Sequence, residues 1–345
     1  MKKLWKKLSI LALAAALLTT TFSLPVCAEE TKKSELKEAP ISAGPWNVAE
    51  GVTAWVAGDI LYVDGNGAVP DYAADALQTR PWNGQFITSV WIRDGITEIG
   101  ANAFAKLGGV SVVRIPSTVF IKDASSFAGI AGKADIRISG KTVETKMIGG
   151  IPYTSAMSII SWVQNQPDFC VRTDFDKEAK KLFMTQTYPY LRNVGYSVDD
   201  RAYMQNPLHQ DPDFGFPSAP IARWTTGASK GYTLKCEKYV PGENTVIHFS
   251  NFLGDNTYGA AFRMWAVNPS AKKVNETPGT CTYQMDIPAD LVAAGRTFKL
   301  IAVVDNKTAE TIVLDNLDAN DATFTFQSDK IPYQCALVYK DAVVQ

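Results

Sequence analysis

The chain has 345 residues and a mass of 37.6 kDa, more than one compact domain usually needs. With 46% hydrophobic residues, 20% charged residues and mean hydropathy of -0.06, it can bury a core, unlike a disordered, collagen-like or polytopic membrane protein. A formal charge of -1 and an isoelectric point near 6.2 leave no basic excess for phosphate backbones, which argues against a nucleic-acid partner.

Residues 1–28 run from the basic start MKKLWKK through an apolar stretch, Leu8 to Leu18, to Val26, Cys27 and Ala28. This is the three-part pattern of a cleaved signal peptide, and the apolar stretch is too short to span a bilayer. Membrane contact is therefore expected only through that segment, with cleavage after Ala28. Pro25 and Val26 stand where a lipidation site would carry small residues, so Cys27 is not read as a lipid anchor. Loss of Lys2, Lys3, Lys6 and Lys7 with no acid leaves 30 basic against 35 acidic residues, a charge of -5. Residues 29–44, EETKKSELKEAPISAG, are charged and free of aromatics, as in a flexible leader.

Apolar alternation begins at Pro45. Thr53 to Ala57 and Ile60 to Val63 read as strands joined at Gly58 and Asp59, a hairpin. A repeat follows: Val90, Ile92, Ile96, Ala101 and Phe104 match Val113, Ile115, Val119, Ala124 and Phe127, each 23 residues on. Ile136 and Ile138 lie a further 23 residues beyond Val113 and Ile115, a fragment of a third copy. A constant offset at apolar positions predicts stacked coils: a short strand points alternate side chains inward, Asp94 and Gly95 turn the chain, and Phe104 closes the core. One coil leaves its flanks bare, so neighbours must cover it.

The run from Val90 to Phe104, V-x-I-x-D-G-I-T-x-I-G-x-x-A-F, resembles the BspA-like leucine-rich repeat of bacterial surface and secreted proteins. The preceding LYVDGNGAVPDY, with Trp82 beyond it, is similar to the segment that often leads into those repeats. The resemblance covers roughly residues 50–140 and implies a short leucine-rich-repeat solenoid in a domain spanning 45–145. The second copy departs from the pattern at Phe120 to Asp123, which predicts only two full coils.

Residues 146–228 form an insert of unclear fold. Ala156, Ile159, Ile160 and Val163 stand at helical spacing behind Thr154, predicting one amphipathic helix. Beyond it, Tyr188, Tyr190, Tyr196, Tyr203 and Trp224 lie among Asp199, Asp200, Asp211 and Asp213. Aromatic faces with carboxylates suit sugar stacking, so these aromatics are the candidate ligand contacts; a long, internally packed loop is the alternative. His209 beside Asp211 and Asp213 suits a cation or a solvated loop.

From residue 229 to 345, short alternating segments (YTLKCEKYV, NTVIHFSNF, and five more from Cys281 to Tyr339) predict an antiparallel β-sandwich. The ending resembles the last strands of stalk-like sandwich modules in the same surface proteins. The fold class is thus mainly β, a short solenoid followed by a sandwich, with minor helix between. Cys170, Cys236, Cys281 and Cys335 permit two disulfides or four buried thiols. Cys236 and Cys281, both in strand segments assigned to one sheet, are the expected pair.

Two histidines exclude a three-histidine metal site, and His248, within TVIHF, reads as a strand residue. No nucleophile, metalloprotease, dinucleotide or phosphate-loop motif occurs, so neither cofactor nor catalytic residue is assigned. The expectation is a non-catalytic secreted or cell-surface protein that adheres to an extracellular protein or glycan. A glycan hydrolase with paired carboxylates, or a purely structural envelope module, are the alternatives.

Overall fold

The computed structural model of the chain describes residues 40–164, 166, 169–173, 222–226, 233–267, 270, 272–274, 276–305, 307–318 and 322–342. The described part is mainly β, with several sheets. Its first strands are β1 (Ile41–Ala49), β2 (Val52–Ala57), β3 (Ile60–Gly65), β4 (Gly67–Val69), β5 (Ser89–Ile92) and β6 (Ile96–Ile99). Then come β7 (Val112–Pro116), β8 (Phe120–Ile121), β9 (Asp135–Ser139), β10 (Thr145–Ile148), β11 (Ile151–Thr154), helix α1 (Ser155–Val163) and β12 (Cys170–Thr173).

One seven-stranded sheet runs β1-β2-β3-β5-β7-β9-β12, antiparallel through β3 and parallel beyond it. The 23-residue offset is its register: Val90 pairs with Val113, and Val113 with Ile136. A second parallel sheet, β4-β6-β8, takes one short strand from each successive turn of chain. Between the sheets Val90, Ile96, Phe104, Val113, Ile115, Val119 and Phe127 are all buried. Trp82, Phe104, Phe127 and Trp162 stack in file through this core, with ring centroids 5.4, 5.1 and 4.5 Å apart. Gly95 turns the chain from β5 into β6 with φ +97°, and a Cβ there would lie 2.4 Å from the Gly65 carbonyl oxygen.

Three expectations change here. The leader read as reaching Gly44 stops before Ile41, because β1 pairs along β2 and lays Trp46 against the core. The parallel ladder does not end after the two predicted copies: β9 and β12 continue it, Val171 opposite Ile136, with α1 in the chain between them. Helix α1 starts where predicted, the Thr154 hydroxyl accepting from Met157 N–H at 3.1 Å, but it is buried nearly all round rather than amphipathic. Of its residues only Ser161 is partly exposed.

The remaining elements are β13 (Ala222–Thr226), β14 (Thr233–Lys238), α2 (Glu243–Ser250), β15 (Thr257–Val267), β16 (Lys273–Val274), β17 (Glu276–Asp286), β18 (Thr297–Asp305), β19 (Glu310–Asp315), β20 (Thr323–Lys330) and β21 (Gln334–Lys340). Strands β13-β17-β20 make one antiparallel sheet and β14-β15-β21-β18-β19 another, with β16 on β15. Their inner residues, among them Phe262, Tyr283, Leu300, Phe324 and Leu337, form one apolar cluster. The segment TVIHF is helix α2, not a strand: Val246 and Phe249 are buried three residues apart while Ile247 is exposed. Val246, Phe249 and Leu253 join the core of the repeats, and the Gln164 amide pairs with both backbone groups of Val240, at 2.6 and 3.2 Å. Among the described residues no helix is long and apolar enough to cross a membrane.

Candidate functional site

Strand alternation decides which side chains the seven-stranded sheet turns away from the core. In β2, β3, β5, β7 and β9 the inward residues are Ala54 and Val56, Leu61 and Val63, Val90 and Ile92, Val113 and Ile115, Ile136 and Ile138. The residues between them point to the outer face. In register these are Trp55, Tyr62, Trp91, Arg114 and Arg137, one from each of five adjacent strands. Arg172 of β12 takes the next register position, opposite Arg137.

The row is held by ring contacts. Trp55 stacks on Tyr62 with centroids 5.4 Å apart, and Tyr62 meets Trp91 edge-on at 5.3 Å. The Arg93 guanidinium lies 5.3 Å from both the Trp55 and Tyr62 centroids, and Arg114 lies 4.1 Å over Trp91. Such contacts fix the guanidinium planes while leaving N–H edges for other partners. Trp91 and Arg114 are half-buried, and the indole Nε1 and guanidinium Nε between them are shielded from solvent without a hydrogen-bond acceptor. Tyr62 is covered by its neighbours.

Two carboxylates accompany the arginines. Arg93 lies 3.6 Å from Asp64, and Arg137 contacts Asp135 at 2.8 Å. Arg114 has no carboxylate within ion-pair reach among the described residues. The arrangement sets two half-buried indoles and a guanidinium fixed over one of them along one line, groups that suit contact with a ligand. Among the described residues no group of three or more His, Cys, Asp or Glu side chains is placed to hold a metal ion.

The sequence-predicted contacts fare differently. Tyr188, Tyr190, Tyr196 and Tyr203 lie outside the described residues, as do His209, Asp199, Asp200, Asp211 and Asp213. Trp224 sits on β13 with its backbone opposite Tyr283. The Cys236–Cys281 bridge is not formed: Cys236 belongs to β14 and Cys281 to β17, strands of two different sheets. Apolar alternation marks both as strands but does not assign a strand to a sheet. Cys335, on β21, is fully buried, and burial raises its thiol well above the usual range. His248, on α2, makes a 2.6 Å hydrogen bond with the Thr311 hydroxyl.

The aromatic and arginine row escaped the sequence reading, although part of its signal was present. Trp91, Arg114 and Arg137 recur at the same 23-residue offset as the core positions, one place along.

Comparison with known proteins adds little to this geometry. No family model matches the chain, and no curated protein sequence matches it. A similar solved structure is a leucine-rich repeat protein from Eubacterium ventriosum, 20% identical, covering 39% of this chain with a TM-score of 0.25. The match spans 44% of that protein's length.

Proposed function

We propose that this is an exported, non-catalytic binding protein of the bacterial surface or its surroundings. In this reading a short BspA-like leucine-rich-repeat solenoid presents the recognition face and an antiparallel β-sandwich carries it. The carrying observation is the outer row of Trp55, Tyr62, Trp91, Arg114 and Arg137, aligned across five strands. Large aromatics and arginines are the residues that dominate binding interfaces, and a sheet face keeps them at fixed spacing with little conformational entropy to lose. The parallel register at constant offset supports the solenoid, and the amino-terminal pattern supports export. The two antiparallel sheets sharing one apolar core support the sandwich.

The test is an array of extracellular-matrix proteins and glycans probed with the parent and with a Trp55→Ala, Trp91→Ala double variant. Saturable binding by the parent, lost in the variant and without turnover of the bound molecule, is expected. Hydrolysis of the ligand, or binding the variant retains in full, contradicts the proposal.

A further inference from the structure

We propose that the outer row binds a uronate-bearing polysaccharide, a chain of pyranose rings carrying one carboxylate each. This deepens the reading above and rests on it: the face is the same, and what is added is the ligand's chemical class.

Adjacent strands stand about 4.8 Å apart, so a row across five of them is about 19 Å long and nearly straight. That suits an extended polymer better than a compact small molecule. Trp55, Tyr62 and Trp91 fill one half of the row and Arg114 and Arg137 the other. Tyr62 is buried between its neighbours, so the half-buried Trp55 and Trp91 are the rings that can meet the C–H faces of sugar rings, while a guanidinium offers paired N–H donors that match both oxygens of a carboxylate. A ligand meeting both halves must therefore carry apolar ring faces and anions on one extended chain.

Charge then selects among anionic polymers. Arg114 and Arg137 on these strands, Arg93 just beyond β5 and Arg172 at the next register position stand against Asp64 and Asp135, a net of two positive charges. A densely sulfated polymer would bring several charges to each of its units and meet Asp64 and Asp135 with repulsion. A singly charged carboxylate per ring needs only one or two guanidiniums. Arg114 is the residue for it, since Trp91 orients its plane at 4.1 Å and no carboxylate among the described residues pairs with it. Arg137, with 41% side-chain exposure, stands one strand further along for a neighbouring unit.

Calorimetric titration of the purified protein with polygalacturonate tests this, with a neutral galactan, heparin and poly-glutamate as parallel probes. Polygalacturonate should bind saturably, and less tightly as salt rises through physiological strength. Galactan should bind at least about tenfold more weakly, the scale of one lost charge-assisted hydrogen bond. Arg114→Gln should weaken polygalacturonate binding about tenfold or more with an unchanged melting curve, and Arg114→Lys should not restore it fully because the fork is lost. Trp91→Ala should do the same, and Trp91→Tyr, which keeps a ring, should bind close to the parent.

Galactan bound as tightly as polygalacturonate, or heparin or poly-glutamate bound more tightly, overturns the ligand assignment. So does an absence of binding to polygalacturonate. If another probe binds and Trp91→Ala abolishes it, the recognition face stands while the uronate assignment falls. Binding indifferent to both Arg114→Gln and Trp91→Ala removes the face as well.

Discussion

Arg80 shows how a single residue can tie successive turns of this chain together. It is buried, yet its side-chain hydrogen bonds among the described residues all go to backbone carbonyls: Nε donates to Leu77 O at 2.9 Å, and Nη1 to Asn102, Ala103 and Ala105 O at 3.3, 3.2 and 2.6 Å. Desolvation lowers its affinity for the proton, but a guanidinium stays charged at neutral pH. Replacing it with methionine keeps the apolar stem and strands those carbonyls. The cost should be about 3 kcal/mol, read from the denaturant midpoint at unchanged slope. A loss within error of zero would mean that water reaches the carbonyls. Asp71 makes a surface counterpart. The Lys122 ammonium, 2.7 Å away, and then the Ala101 N–H hold its carboxyl below the ordinary value of 3.8. Because the folded carboxyl binds its proton less tightly than the unfolded one, its contribution is present above the unfolded pKa. It is lost as pH falls through the folded value. Lys122→Ala should raise the Asp71 titration midpoint toward 3.8, measured by carboxyl carbon shifts.

At the scale of elements the repeat rests on turns as much as on strands. Gly95 adopts φ +97° directly beneath Gly65, so Gly95→Ala suffers both a left-handed backbone and a Cβ 2.4 Å from a carbonyl oxygen. It should cost more than the roughly 1–2 kcal/mol of the conformation alone, seen in chemical denaturation. A smaller loss would show that the two turns can move apart. The strands of the repeat were legible because buried apolar residues recur at one offset, and that offset is also the hydrogen-bond register. Helix α2 was not legible. Thr245 to Phe249 is β-branched and alternating, and only burial of Val246, Phe249 and Leu253 against the repeat core settles it as a helix. The expected cysteine bridge failed for a related reason, since local pattern does not reveal which of two sheets receives a strand. The row was half legible: Trp91, Arg114 and Arg137 share the repeat offset, whereas Trp55 and Tyr62 enter through an antiparallel hairpin with no offset to read.

Across the whole molecule, one apolar cluster joins the repeats to the later strands: Val246, Phe249, Ala261, Ile301 and Ala336 belong to the same core as Val113 and Phe127. Lys146 adds polar links, contacting Glu98 at 3.3 Å and Glu243 at 2.8 Å. The two parts should therefore unfold together. Tryptophan fluorescence, dominated by the repeats, and labelling of the fully buried Cys335 thiol on β21 should trace one denaturant midpoint. Two separated midpoints would show that the parts are independent. Such coupling gives the outer row a rigid support, and the central claim is that this row is where the protein meets its ligand. The most direct measurement follows the indole N–H resonances of nitrogen-labelled protein during titration with polygalacturonate. Trp55 and Trp91 should shift saturably while Trp82 and Trp162, stacked inside the core, stay in place. Saturation with Trp55 and Trp91 unmoved would contradict it.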